Sequence, residues 1–360
     1  MFGDRLKLAR KKAGLSQRAL AGAVQPRVSA QAISRYEANE MMPGARVLME
    51  IARALNVSAD FLMSSQVAEL EGVEFRKHSR TSARDRARVE ALVIEQLEKY
   101  LSIEHVLDLE DAPDPFPAEC PREIVSWEDA EACAENLRHR WDLGRDPIPS
   151  MVGLLEDQGI KVIEADLPND VAGLTCAVRR GDDRPAVHAI VVSDKVTVER
   201  KRLTLAHELG HRLIASVADP DIRLEKAINR FAGAFLMPRE TLREEIGASR
   251  HGVAYEEIKH LKHLYGVSAS AMLVRLGQVG VLPDSVVTYA FKTYAKGWRS
   301  GEPDPIEPGQ GLDAFEKPGR FEGLVYRALA EELISPARAA ELLEVALAEI
   351  ERGLRGPKLS

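Results

Sequence analysis

Apolar residues recur over the first sixty positions at the spacing of short helices rather than of strands. Leu6, Leu8, Ala9 and Ala13 suit one helix, which Gly14 closes as a C-terminal stop. Ser16 caps a second helix over 17–24, and Ser29 caps a third that reaches about Ala38. A fourth, 49–55, follows the Pro43-Gly44 turn. Residues 73–90 form a basic stretch, and 88–109 have the pattern of an amphipathic helix. The segment APDPFPAECP, 112–121, holds four prolines in ten residues and reads as a linker or an extended strap. Such a stretch is expected to separate two units that fold independently.

The texture then changes. Helical periodicity over 127–141 and 150–158 gives way, after Gly159, to IKVIEA, VAGLTCAVRR and AVHAIVVSD. These are short, β-branched and apolar, as strands are. Helices are predicted at 197–215, 223–237 (closed by Pro238), 256–265, 270–277 and 320–333. A last helix to about Arg352 starts at Ser335-Pro336, a cap followed by proline at the first helical position. The expected architecture is mainly α and multidomain. An all-α N-terminal domain (1–65) leads through a basic helical connector and Pro-rich linker (66–121) to an α+β domain with a small sheet (122–280) and a helical C-terminal region (281–360).

Composition narrows the class. With 45% hydrophobic and 29% charged residues over 360 positions, the chain is long enough for more than one core and is neither disordered nor fibrous. Its apolar runs are too short to span a bilayer, so no membrane partner is expected. The three cysteines are odd in number and lack CxxC spacing, which speaks against a disulfide scaffold and a Cys-rich metal module and fits a reducing cytoplasm. The net charge of −7 is unevenly spread: residues 1–100 carry 17 Lys+Arg against 12 Asp+Glu (+5), leaving −12 for the rest. A polyanionic partner should therefore meet the N-terminal part.

The sharpest chemical signal is His207-Glu208-Leu209-Gly210-His211, an HExxH run inside a helical pattern. Residues i and i+4 lie one turn apart on one helix face, so both imidazoles reach one ion, with Glu208 beside them as a general base. Two histidines leave a catalytic zinc site short of its usual third protein ligand. Glu225, opening the next helix in LEKAINRFAGAFLMP, is the nearest suitable carboxylate, and Asn229 one turn on is placed to orient it. A glycine at 210 leaves room for an element packed against the site. His188 sits in a strand pattern, while His260 and His263 are read as surface or packing residues.

The run RKRLTLAHELGHRLIA followed by EKAINRFAGAFLMP resembles the ImmA/IrrE family of metallopeptidases, and so do LRHRWDLGRDPIPSMVGLLEDQGIKVIEADLP and VAGLT upstream. The resemblance covers roughly 125–280 and implies a zincin-like domain binding Zn2+. It gives His207, His211 and Glu225 as ligands, Glu208 as catalytic base, and limited proteolysis of repressor proteins as the activity. Ser193 stands where that family often has Asn at the end of the strand before the helix.

Residues 15–37, LSQRALAGAVQPRVSAQAISRYE, carry two capped short helices locked by Leu20, Ala21, Val28 and Ile33. The second presents Ala30, Gln31, Ser34 and Arg35 on one face, and Gln and Arg are the side chains that read adenine and guanine edges in the major groove. Gln17, Arg10, Lys11 and Lys12 are the nearby DNA-contact candidates, the basic ones for phosphates, with Arg5, Lys7 and Arg18 close by. The run resembles the XRE (Cro/repressor-like) helix-turn-helix family over about 1–65, although its turn, VQPRVS, is about two residues longer than usual.

These readings combine into a cytoplasmic, nucleoid-associated prokaryotic regulator. It would bind double-stranded operator DNA and, as a zinc metalloendopeptidase, cut a repressor or other regulatory protein, with a homodimer as the expected assembly. The alternative is a non-catalytic repressor, or an antitoxin with a cognate toxin, whose zinc domain is a sensor or a structural module.

Overall fold

The computed structural model describes residues 2–63, 69–71, 82–109, 113–116, 122–169, 171–179, 186–306 and 316–355. The first unit is helical throughout: α1 (Phe2–Lys12), α2 (Gln17–Ala23), α3 (Ala30–Glu37), α4 (Ala45–Leu55) and α5 (Ala59–Met63). Both predicted serine caps are in place. Ser16 Oγ accepts from the Ala19 amide and Ser29 Oγ from the Ala32 amide, each at 3.0 Å. Phe2, Leu6, Leu20, Ile33, Ile51 and Leu62 close the core beneath them.

The connector helix α6 (Ala83–Val106) runs alongside α1. Short strands β1 (Glu69–Glu71) and β2 (Glu123–Ile124) precede α7 (Trp127–Arg140) and α8 (Met151–Asp157). Three longer strands follow, β3 (Lys161–Ala165), β4 (Gly173–Arg179) and β5 (Val187–Ser193), in the sheet order β1-β4-β5-β3. Strand β5 is parallel to β3 and antiparallel to β4. Then come α9 (Val198–Leu213), β6 (Ser216–Val217) paired with β2, α10 (Leu224–Leu236), α11 (Arg239–Ile246), α12 (Tyr255–Tyr265), α13 (Ala269–Gln278) and α14 (Asp284–Lys292). The chain closes with α15 (Arg320–Ala330), α16 (Pro336–Leu343) and α17 (Leu347–Arg355).

Alternation along the strands decides what covers each face of the sheet. Val162, Ile190 and Val192 point into the core shared with α7 to α10. Their neighbours Ile163, Ala189 and Val191 point the other way, into one apolar cluster with Val89, Val93 and Leu97 of α6 and with Leu6 and Leu20 of the helical unit. The N-terminal helices and the sheet are thus joined through a common core. The expectation of two units with few contacts between them is corrected on this point.

The proline-rich segment lies mostly outside the described residues, as does the basic stretch over 73–81. What is described of the former, 113–116, is a strap: Trp141 Nε1 donates to the Pro115 carbonyl at 2.8 Å, and Phe116 packs edge-on to His188 at 4.8 Å. Two further expectations are corrected. The helix expected to run from Ser335 to Arg352 breaks at Glu344, whose φ of 57° ends α16 and lets α17 fold back. Leu342 and Ile350 can then both bury against α6 and α15. Cys133 is disulfide-bonded, while Cys176 is free and buried. Spacing in sequence does not reveal which cysteines fold to within bonding distance. Among the described residues no helix is long and apolar enough to cross a membrane.

Candidate metal centre and DNA-facing helix

Helix α9 lays the HExxH run on the sheet, and α10 packs antiparallel against it because Gly210 has no side chain. A Cβ at 210 would stand 2.9 Å from both Ile228 Cγ2 and Phe231 Cδ1. The close approach brings Glu225 opposite the histidine pair. His207 Nε2 lies 3.1 Å from His211 Nε2 and 3.3 Å from Glu225 Oε2, and His211 Nε2 lies 3.8 Å from the same oxygen. Zinc bonds of about 2.0–2.1 Å imply tetrahedral edges of about 3.3–3.4 Å, so the spacing of the three donors fits the ion.

Asn229 holds His207. The Nδ1–H donates to Asn229 Oδ1 at 3.1 Å, which selects the tautomer whose Nε2 lone pair faces the other donors. The sequence suggests that Asn229 orients Glu225; in the structure its amide oxygen meets His207. Burial opposes charge on His207, but Glu225, Glu208 and Asn229 outweigh it, and its pKa is raised. Glu208 is buried beside the pair, forming a compact group with both histidines. Gly173, at the start of β4, admits it: a Cβ there would meet Thr204 Cγ2 at 2.6 Å and Glu208 Cγ at 3.3 Å.

The residues that fix α9 and α10 from behind were not picked out from sequence. Arg275 of α13 donates to both carboxylate oxygens of Glu131 on α7, at 2.6 and 3.0 Å, and Arg230 of α10 donates to the same carboxylate. Despite burial, the two arginines lower the Glu131 pKa. At the start of α9, Arg202 is paired with Glu316, and Lys262 Nζ bonds Glu199 at 3.2 Å and Glu302 at 3.1 Å. The C-terminal region is thereby clamped onto the metal-site helix. Pairs of buried opposite charges 63 to 144 residues apart leave no local pattern to find. His263 binds Asp304 at 2.9 Å on the surface, away from the metal group, as the sequence suggested.

In the helix-turn-helix, Gln31, Ser34 and Arg35 are exposed on α3, while Ala30 is half-buried against the core. Three other expected DNA contacts already have acidic partners within the chain. Arg10 donates to both oxygens of Glu37 at 2.5 and 3.0 Å, and Gln17 donates to Glu37 at 2.8 Å. Burial raises the Glu37 carboxyl, but these donors more than offset it and its pKa is lowered. Lys12 pairs with Glu95 of α6 at 2.9 Å. Lys11 is exposed near Glu90 of the same helix, and Arg5 is buried against Glu98. The basic side of α1 therefore faces the connector helix.

The structure thus presents a recognition-type helix with an exposed face and, separately, an HExxH helix apposed to a Glu-bearing helix. Comparison with known proteins agrees: residues 6–62 match the family model of a helix-turn-helix, and residues 155–277 match that of the IrrE N-terminal-like domain. The chain is 31% identical over 139 residues to the "Radiation response metalloprotease IrrE" of Deinococcus deserti. That match covers 34% of this chain and 47% of the relative, so the chain spans about half of its length. Among solved structures, a Mycobacterium tuberculosis transcriptional regulator aligns with 18% identity and a TM-score of 0.29 over 49% of this chain and 51% of that one, too slight a likeness to bear on function.

Proposed function

We propose that the chain is a DNA-binding regulator whose second domain is a zinc-dependent endopeptidase acting on a regulatory protein. The observation that carries this reading is the convergence of His207 Nε2, His211 Nε2 and Glu225 Oε2 around one point, with Glu208 beside them. His207, His211 and Glu225 would hold zinc, which supplies Lewis acidity toward a peptide carbonyl and water. Glu208 takes the proton from the attacking water and returns it to the departing amine, so the carboxylate is regenerated. Burial of Glu208 against β4 holds it beside the histidine pair. Gln31, Ser34 and Arg35 read an operator sequence in the major groove, which keeps the peptidase near proteins bound to the same DNA.

Metal analysis together with a cleavage assay against repressors of the source genome tests this. His207→Ala and His211→Ala should each empty the site, whereas Glu208→Gln should keep about one zinc per chain and lose cleavage. Stoichiometric zinc in both histidine variants, or wild-type cleavage by Glu208→Gln, would falsify the assignment.

A further inference from the structure

The C-terminal region holds a surface that neither the metal centre nor the helix-turn-helix uses. From Ser285 to Gly301 the chain has three cations, Lys292, Lys296 and Arg299, and no acidic residue, within a 101–360 body whose net charge is −12. Among the described residues none of the three has a carboxylate partner at ion-pair distance. Aromatic rings alternate with them. Ala290 and Ala295 are fully buried and pin the segment to the core, so that Tyr289 and Tyr294 turn outward, 64% and 50% exposed. Trp298 packs at 5.6 Å from Tyr294 and 5.7 Å from Tyr255, and the Arg299 guanidinium lies 4.5 Å over the ring of Phe291. The Thr293 hydroxyl donates to the Tyr289 carbonyl at 2.8 Å, bracing the turn between the two exposed tyrosines.

Three occupants fit parts of this face. A second copy of the chain, docked face to face, would bring like charges together. An acidic peptide would answer the cations and leave the rings in water. A nucleic-acid strand answers both, because it offers phosphates at regular spacing and bases whose flat faces stack on exposed rings. Duplex DNA hides those faces, which leaves the single-stranded form. We propose that the face from Tyr289 to Arg299 binds single-stranded nucleic acid, with bases on Tyr289 and Tyr294, the latter braced by Trp298, and phosphates on Lys292, Lys296 and Arg299. This is independent of the proposed peptidase activity.

Fluorescence anisotropy of the full-length protein with labelled dT20 and rU20 tests it, and the two arms distinguish DNA from RNA as the source of the strand. Affinity should fall with salt at a log–log slope of about −2, from three phosphate contacts at about −0.7 each. Tyr289→Ala combined with Tyr294→Ala should weaken binding at least about tenfold. The matching Tyr→Phe pair should bind as wild type, because stacking needs the ring and not the hydroxyl. Arg35→Ala should leave strand binding unchanged, since that residue lies on the helix-turn-helix. The proposal is overturned by absence of binding to both strands, by loss of binding in Arg35→Ala, or by polyglutamate displacing the strand as effectively as unlabelled oligonucleotide. Wild-type affinity in the double Tyr→Ala variant also overturns it. Should that variant not fold, Lys296→Glu with Arg299→Glu, both at exposed positions, decides: retained binding refutes the proposal.

Discussion

His207 Nδ1 lies 3.1 Å from Asn229 Oδ1, one turn along α10 from Glu225, so a single helix presents both the carboxylate that faces the histidine pair and the amide that aims one member of it. Asn229→Ala should keep the fold and weaken metal binding by about 10–100-fold, because the ring loses its fixed tautomer and orientation. Chelator competition measures this directly. An unchanged metal affinity would mean that the bond is incidental.

Gly210 sets the distance between the two helices. Gly210→Ala gains about 1 kcal/mol of helix propensity and costs about 1–3 kcal/mol of overpacking against Ile228 and Phe231. The net effect should be a lowered Tm, with weaker metal binding as α10 is pushed from α9. A Tm above that of the wild type would show that the α9–α10 interface gives way without strain.

Arg10 and Arg35 should separate cleanly. Arg10→Ala strips Glu37 of its bidentate partner and should lower Tm, with operator binding reduced only as the fold loosens. Arg35→Ala, at an exposed position, should leave Tm alone and reduce discrimination between operator and random DNA by about 1–3 kcal/mol. Thermal melts and competition binding on the same two variants would reveal a reversal of these roles.

His188 makes stability depend on pH. Burial, then the neighbouring Arg212, lowers its pKa to about 4, so the folded chain keeps it neutral while the unfolded chain protonates it near 6.5. The depressed value means that stability is full above about 6.5 and is lost as pH falls toward 4. Between pH 7 and pH 5 the wild type should lose about 2 kcal/mol more than His188→Gln, which keeps an acceptor for Arg212 but does not titrate. Denaturant unfolding at the two pH values would show equal losses if another group is responsible.

The parts of this protein that were legible in the sequence depend on neighbours within one or two turns. Ser16 and Ser29 cap helices because each hydroxyl reaches an amide three residues on, and His207 and His211 share a face because a helix repeats every 3.6 residues. Glu225 could be singled out as the third donor because it opens the next apolar helix. Strands β3, β4 and β5 were visible as short β-branched runs.

Tertiary structure decided which of several equally plausible partners each polar side chain meets. Nothing local distinguishes Arg10, drawn to Glu37 27 residues away, from Arg35, which stays in solvent. Nor does it mark Glu131 as the acid that would gather Arg230 and Arg275 behind the metal-site helices. The strand pattern showed that residues alternate but not that both faces would be covered. Whether Ile163 and Val191 meet water or α6 depends on where a helix some seventy or more residues earlier comes to rest. Burial of a charge or of an apolar face is favourable only once its long-range partner is in place, and that partner is set by the packing of the whole chain.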